Sequence, residues 1–128
     1  MSEPKLNILV VDDDKAITEL MRDFLEAEGF GVETAHDSRA AFAVLESTTV
    51  NCLLLDVMMP GWNGWQVFEK IRGEARWAGI PIVMLTALAQ RSDVERAVSL
   101  GVDGYLTKPY EPVDLIHTIE ETLSQRVP

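Results

Sequence analysis

The chain has 128 residues, of which 47% are apolar and 25% charged, and its formal net charge is −10. This length suits one domain with a full core and is too short for two, and the composition is globular rather than disordered. The negative charge disfavours direct binding to nucleic acid or to an anionic membrane, and no apolar stretch reaches the roughly 18 residues of a membrane span.

Two further features bear on the compartment. The first five residues, 1–5, lack the basic-then-apolar pattern of a signal peptide. The single cysteine, Cys52, lies within an apolar run, which is typical of a buried thiol in a reducing environment. We therefore expect a cytoplasmic protein.

Short apolar runs alternate with segments of helical period, which is the pattern of a parallel sheet with crossover helices. Five strands are predicted, at about Leu6–Val11, Gly31–Ala35, Asn51–Leu55, Ile80–Leu85 and Gly104–Thr107. The first, third and fourth are uninterrupted apolar runs, which indicates burial on both faces. The second is more polar and is expected at the edge of the sheet.

A helix is predicted after each strand. The first ends near Gly29, and the second begins behind Ser38 as its N-cap. The third follows a loop that is rich in glycine, and includes Val67. A capping box at Ser92–Glu95 predicts the start of the fourth helix, and Pro112 suits the first turn of the fifth.

Polar residues stand where four of these strands end. Asp12 and Asp13 follow the first strand, Asp56 the third, Thr86 the fourth and Lys108 the fifth. Ligands of a parallel α/β sheet bind at the carboxyl ends of the strands, near the point where strand order reverses. These side chains are therefore expected to converge, and clustered carboxylates with one cation and one hydroxyl suggest Mg²⁺ and phosphoryl chemistry.

The three aspartates Asp12, Asp13 and Asp56 would bring three negative charges close together. Such a cluster is unfavourable unless a cation compensates it, and hard carboxylate oxygens suit Mg²⁺. The neighbouring Asp14 directly precedes a helix, and we interpret it as a helix cap.

Thr86 and Lys108 could each hold one oxygen of a phosphoryl group. A threonine that ends a strand is by itself more often a turn residue. A lysine in a half-buried crevice would be an unpaired cation unless it lay opposite the aspartates, where it gains a charge-assisted pair.

With these positions assembled, the chain resembles the receiver domain of two-component response regulators, especially the stand-alone chemotaxis type. The matching segments are Ile8–Asp13, Leu53–Gly61 with Gly64, Met84–Ala87 and Gly104–Pro109. The likeness covers roughly residues 5–125, and four motifs in order at the family's spacing are specific.

The resemblance implies one receiver domain over residues 1–128, with a core of about 5–125. It also implies a doubly wound (βα)₅ flavodoxin-like parallel sheet of strand order 2-1-3-4-5, with helices on both faces. The chain is expected to be either a complete single-domain regulator or a receiver cut from a longer protein.

The resemblance assigns a role to each polar position. Asp56 would be the phosphoacceptor. Asp13 and Asp56, with the backbone carbonyl of Met58, would ligate Mg²⁺, and Asp12 would act largely through water. These assignments agree with carboxylate chemistry, since an aspartate can serve as a nucleophile.

The remaining roles concern the phosphate and the switch. Lys108 would pair with Asp56 at rest and with the phosphate afterwards. Thr86, with Ala87 beside it, would bind the phosphate, and Tyr105 would rotate from an outward to an inward position. The Lys108–Pro109 bond is expected to be cis on the strength of the resemblance.

The implied function is a switch that takes a phosphoryl group from a sensor histidine kinase or a phosphotransfer protein. Phosphorylation would reshape the face made by the fourth helix, the fifth strand and the fifth helix. That face would bind a downstream protein target, a covalently linked output domain or a second copy of the domain. No separate substrate would be turned over, so the chain is not expected to be an enzyme.

Several residues depart from the family pattern or invite other roles. Met58 and Leu88 are apolar where the family flanks the path of the attacking water, so our hypothesis is a long-lived phosphorylated form. Trp62 is expected to be exposed, whereas Trp65 and Trp77 are expected to pack locally. The histidines His36 and His117 are assigned structural and surface positions.

Three alternative functions fit the sequence less well. A haloacid-dehalogenase-like phosphatase would need a second aspartate two residues after Asp56, where Met58 stands, and a cap domain. A flavodoxin-like FMN carrier would need a Ser/Thr/Gly-rich loop after the first strand, where Asp12–Asp14 would repel a phosphate. A degenerate receiver is disfavoured because every chemical position is present.

Overall fold

The computed structural model describes residues 5–86 and 91–126, in which five strands alternate with five helices. The strands are β1 (Asn7–Val11), β2 (Gly31–Ala35), β3 (Cys52–Asp56), β4 (Ile82–Thr86) and β5 (Gly104–Thr107). The helices are α1 (Lys15–Ala27), α2 (Ser38–Ser47), α3 (Gly64–Arg72), α4 (Arg91–Leu100) and α5 (Pro112–Arg126). No described helix is both long enough and apolar enough to cross a bilayer.

The five strands form one parallel sheet in the order β2-β1-β3-β4-β5. This confirms the doubly wound α/β fold and the expected edge position of β2. Strands β3 and β4 are buried throughout, as their unbroken apolar runs predicted. Because β1 lies between β2 and β3, strand order reverses there, and a crevice opens at the carboxyl ends of β1 and β3.

Successive side chains of a strand point to opposite faces, and the core accordingly divides into two clusters. Leu9, Val11, Leu53 and Leu55 share one cluster with residues of α2, α3 and α4. The intervening residues of β1 and β3 share the other cluster with residues of α1 and α5. The sheet is therefore covered on both faces, and only its edges and strand ends remain for chemistry.

Two helix starts behave as predicted. Asp14 caps α1, since its Oδ1 accepts hydrogen bonds from the backbone N–H groups of Ala16 and Ile17 at 3.0 and 3.3 Å. Pro112 is the first residue of α5, where the missing N–H of proline has no cost.

Two other helix starts correct the sequence analysis. The N-cap of α2 is Asp37 rather than Ser38, because the Asp37 carboxylate accepts from the N–H of Ala40 at 2.8 Å. Helix α4 begins at Arg91, so Ser92 lies inside its first turn and does not precede it. At the start of α2 both Asp37 and Ser38 are competent caps, and sequence preference alone does not select between them.

Candidate functional site

Three carboxylates meet at the switch point of the sheet. Asp12 and Asp13 directly follow β1, and Asp56 ends β3, the strand paired with β1 in parallel register. One carboxylate oxygen from each residue lies within 4.8 Å of the others. Asp12 and Asp56 are 1% and 3% exposed, whereas Asp13 is exposed to solvent. The cluster is thus buried on one side and open on the other, as a cation site requires.

Lys108 lies against the two buried carboxylates. Its Nζ is 3.2 Å from Oδ2 of Asp12 and 3.4 Å from Oδ1 of Asp56. The backbone N–H of Lys108 donates to the carbonyl of Thr86 at 2.7 Å, which fixes the end of β5 beside β4. One ammonium group therefore pairs with two of the three carboxylates, and the cluster keeps an excess of negative charge.

The charges shift the pKa of Asp56. Burial and the nearby Asp12 raise the pKa of Asp56 from 3.8 to about 6, against the opposing effects of Lys108 and the N–H of Met58. Burial lowers the pKa of Lys108, but its two carboxylate partners outweigh burial and hold that pKa above its ordinary value. The ammonium therefore stays charged, but its positive charge does not fully offset the effects of burial and of Asp12 on the Asp56 carboxylate.

Two groups fix the backbone around the carboxylates. The N–H of Asp14 donates to Oδ1 of Asp12 at 2.9 Å, which orders the turn after β1. The N–H of Met58 approaches Oδ1 of Asp56 at 3.3 Å, while the Met58 side chain is 68% exposed. The backbone of Met58 therefore lies beside the Asp56 carboxylate, and its side chain faces solvent.

Thr86 ends β4 at the same edge of the sheet and is 2% exposed. Its Oγ1 is the only buried side-chain oxygen or nitrogen of the described residues that lacks a hydrogen-bond partner. A buried hydroxyl without a partner is costly. A ligand oxygen within hydrogen-bond distance of this hydroxyl would relieve the cost. Ala87, which follows, lies outside the described residues, as does Leu88.

The other predicted positions are distributed around this centre. Tyr105 lies on β5 and is 41% exposed, in the outward position. The Lys108–Pro109 peptide bond is cis, as expected. Trp62 is exposed, and Trp65 and Trp77 are buried.

The remaining assignments also hold. Cys52 is fully buried, and burial raises its thiol pKa to about 12. His36 lies 3.0 Å from the hydroxyl of Thr18, and His117 is on the surface beside Glu121.

Residues 57–63 join β3 to α3 and follow Asp56, the expected phosphoacceptor; this segment is the acceptor loop. The contacts that support it are not among the sequence predictions. Asn63 and Gln66 form a reciprocal capping box at the start of α3, a spacing that inspection of the sequence can detect. A Cβ on Gly64 would collide with the carbonyl oxygen of Asp56 and lie 2.8 Å from Cα of Val57. The glycine therefore permits the close approach of α3 to the end of β3, where Asp56 lies.

The donor set fits a small divalent cation. Carboxylate oxygens converge from three residues, one of them open to solvent, and a hard cation such as Mg²⁺ prefers such oxygens while it retains water. Sheet order and site together define a parallel α/β protein with an acidic pocket at its switch point, built to receive an anion beside a cation.

Comparison with known proteins shows which family of this class the chain belongs to. The family model of the response regulator receiver domain matches residues 8–120. The chain belongs to this family, which provides the phosphoacceptor switches of two-component signalling. This assignment leaves the phosphatase and the flavin carrier without support.

Individual relatives agree. The chain is 37% identical to the regulatory protein VanRc of Enterococcus gallinarum over 91% of its own length and 49% of the relative. It is 40% identical to the transcriptional regulatory protein CpxR of Escherichia coli K12 over 91% and 48%. The chain thus spans about half the length of these curated relatives.

Solved structures match over nearly their whole length. A CheY-like receiver domain protein of Methanospirillum hungatei superposes with a TM-score of 0.87 at 32% identity, covering 96% of this chain and 97% of that one. The chemotaxis protein CheY4 of Vibrio cholerae gives 0.87 at 28% identity, covering 93% and 99%.

Proposed function

We propose that Asp56 is the residue that accepts the phosphoryl group, in a reaction that requires Mg²⁺. The observation that carries this assignment is the surroundings of Asp56. Its carboxylate lies beside two further aspartates and the ammonium of Lys108, and the neighbouring strand β4 ends at Thr86, whose buried hydroxyl has no hydrogen-bond partner. Each of these groups suits either the cation or the phosphoryl oxygens.

Asp13, Asp56 and the backbone carbonyl of Met58 are proposed to hold Mg²⁺, with Asp12 acting through water. When bound, the cation supplies neutralisation of the charge that develops on the transferred group. The exposure of Asp13 supports this arrangement, because it leaves room for water and for a phosphate oxygen. The burial of Asp12 and its bond to the N–H of Asp14 support a fixed, indirect role.

In the transfer, a carboxylate oxygen of Asp56 forms a bond to phosphorus as the P–N bond of a donor phosphohistidine breaks. The leaving imidazole nitrogen keeps the electron pair of that bond, and an acyl phosphate results. Lys108 moves from the Asp56 carboxylate to a phosphate oxygen, and the hydroxyl of Thr86 donates to another, with Ala87 beside it. Water later hydrolyses the acyl phosphate and restores the carboxylate.

The signal is proposed to leave the site through Thr86 and Tyr105. Thr86 and Thr107 are paired across β4 and β5, and Tyr105 lies on the same strand as Thr107. Movement of Thr86 toward a phosphate would therefore be transmitted to β5. An inward rotation of Tyr105 would then reshape the face formed by α4, β5 and α5. That face is proposed to bind a downstream protein, a linked output domain or a second copy.

The domain is proposed to be a single unit over 1–128, with its core at about 5–125, and to act in the cytoplasm. Its donor is proposed to be a sensor histidine kinase or a phosphotransfer protein. It turns over no separate substrate and binds neither nucleic acid nor membrane directly. The family assignment and the net charge of −10 support these statements.

The test is intact-mass spectrometry after incubation with acetyl phosphate and Mg²⁺. The wild-type protein should gain a single phosphoryl adduct, and Asp56→Asn should gain none. Asp37→Asn, which alters an exposed carboxylate at the start of α2, is the matched control and should be modified like the wild type. An adduct on Asp56→Asn, or an adduct formed equally well in EDTA, would overturn the proposal.

A further inference from the structure

A chain of aromatic contacts connects the acceptor loop to helix α2. The ring of Trp62, in the loop, meets Phe42 of α2 edge to face, with centroids 6.0 Å apart. Phe42 in turn stacks on Trp77 at 5.9 Å and an interplanar angle of 12°. These three rings link the loop that follows Asp56 to the adjacent helix and to the segment before β4.

Trp77, the last ring in this series of aromatic contacts, is itself held in place. The guanidinium of Arg76 lies 4.2 Å from the ring centroid of Trp77, and it pairs with both carboxylate oxygens of Glu46 on α2. Ala41 and Leu45, which flank Phe42 on the helix, are buried in the core. Phe42 is therefore held in place by its own helix and by Trp77, whereas Trp62 is 44% exposed.

The loop is held at its start and end by backbone hydrogen bonds and at Met59 by burial in the core, whereas residues 60–62 are exposed. Val57 donates its N–H to the carbonyl of Leu85, and the N–H of Gly64 donates to the carbonyl of Val57. Between these points lie Met58, next to Asp56, and the turn at Gly61, which has a positive φ of 74°. The edge contact of Trp62 with Phe42 joins the exposed part of the loop, residues 60–62, to α2.

We propose that Trp62, seated on Phe42, is a positioning residue that fixes the acceptor loop for Mg²⁺ binding. The inference rests on the proposed function, since it concerns the same cation site. Trp62 touches neither the cation nor the phosphoryl group; it restricts the loop so that the backbone of Met58 stays beside Asp56. Loss of the contact lets the loop sample other positions, and the cation then binds more weakly because it must first order the loop.

The experiment compares Mg²⁺ dissociation constants by isothermal titration calorimetry with unfolding free energies in urea and EDTA. Trp62→Ala and Phe42→Ala should each raise the dissociation constant about two- to tenfold, the range set by the energy of one edge-to-face aromatic pair. The double variant should bind Mg²⁺ about as weakly as the weaker single variant, because both changes remove one contact. Trp62→Phe should recover most of the affinity.

Val44→Ala is the matched control, because Val44 lies on the same helix and packs against the same core cluster. It should lower the unfolding free energy and leave the Mg²⁺ dissociation constant unchanged. Unchanged Mg²⁺ affinity in Trp62→Ala and Phe42→Ala would overturn the inference, as would equal weakening in Val44→Ala.

The acetyl phosphate experiment keeps the two proposals separate. If the wild type is phosphorylated with Mg²⁺ and the aromatic variants bind Mg²⁺ normally, only the positioning role is wrong. If the wild type neither binds Mg²⁺ nor gains the adduct, the proposed function and the positioning role are both wrong.

Discussion

The ammonium of Lys108 lies 3.4 Å from Oδ1 of Asp56, the carboxylate whose pKa is raised to about 6. The same ammonium is 3.2 Å from Asp12, so it is shared between two buried acids. The positive charge of this ammonium repels a cation that enters the site, whereas it attracts an incoming phosphoryl group. This double relationship gives opposite predictions for metal binding and for phosphoryl transfer.

Lys108→Met should therefore bind Mg²⁺ more tightly and accept the phosphoryl group more slowly. The loss of one positive charge a few ångströms away should tighten Mg²⁺ binding by about fivefold or more. Calorimetric Mg²⁺ titration and the initial rate of adduct formation measure the two effects. Lys70→Met, which removes an exposed lysine paired with Glu74, should change neither. Weaker Mg²⁺ binding in Lys108→Met would contradict the prediction.

The raised pKa of Asp56 makes stability depend on pH. The native state holds the Asp56 proton to about pH 6 and the unfolded state only to about pH 3.8, so the native state binds more protons between these values. Stability from this group is therefore fully present below pH 3.8 and lost as pH rises through 6.

Asp56→Asn removes this titration. In EDTA at pH 7 to 8, the variant should be more stable than the wild type by roughly 2 to 3 kcal/mol, and the difference should disappear near pH 4. Urea unfolding over pH 4 to 8 measures it. Asp37→Asn is the control for loss of a carboxylate outside the site. A wild type that is as stable as Asp56→Asn at pH 8 would count against the raised pKa.

Gly64→Ala tests the close packing of α3 against the end of β3, where Asp56 lies. The added Cβ would collide with the carbonyl of Asp56, so we expect a loss of about 1 to 3 kcal/mol in unfolding free energy. The displaced backbone should also weaken Mg²⁺ binding. Gly79→Ala is matched, because nothing lies within 4 Å of its Cβ position, and it should be close to neutral. Equal stability of the two variants would refute the steric argument.

Arg72 and Asp103 form a partly buried ion pair where strands β4 and β5 begin. Arg72 also donates to the carbonyls of Ala78 and Ile80, and Asp103 accepts from the N–H of Ile82. Arg72→Met should cost about 2 to 3 kcal/mol, because a partly buried carboxylate loses the guanidinium that it pairs with. Lys70→Met, in an exposed pair, should cost little. Thermal or urea unfolding decides, and similar losses in the two variants would show that the Arg72 pair is unimportant.

The exposed, apolar Met58 bears on the lifetime of the phosphorylated form. An apolar side chain beside Asp56 offers no hydrogen bond to orient an attacking water, so the acyl phosphate should persist well beyond seconds. Met58→Gln should shorten the lifetime, and Met58→Leu should leave it unchanged. Decay of the adduct after removal of acetyl phosphate measures this, and a wild-type lifetime of only seconds would reject the hypothesis.

Much of the fold was predictable because the signals are local. Turn residues and apolar runs predict strands β2 and β5 at their observed bounds, and the position of Asp14 before a helical pattern predicts its role as a cap. Local preference fails where neighbours compete, as with Asp37 and Ser38 at the start of α2, and it also misplaces the start of α4.

The sequence by itself therefore determined the alternation of strands and helices, and which polar residues end the strands. Only the tertiary structure decided the distances among them, such as the pairing of Lys108 with Asp12 across 96 residues. It also decided the edge-to-face contact between Trp62 and Phe42, which the periodicity of the sequence does not predict. The physical reason is that periodicity reflects a residue's neighbours along the chain, whereas such contacts depend on strand order and on how helices pack over the sheet.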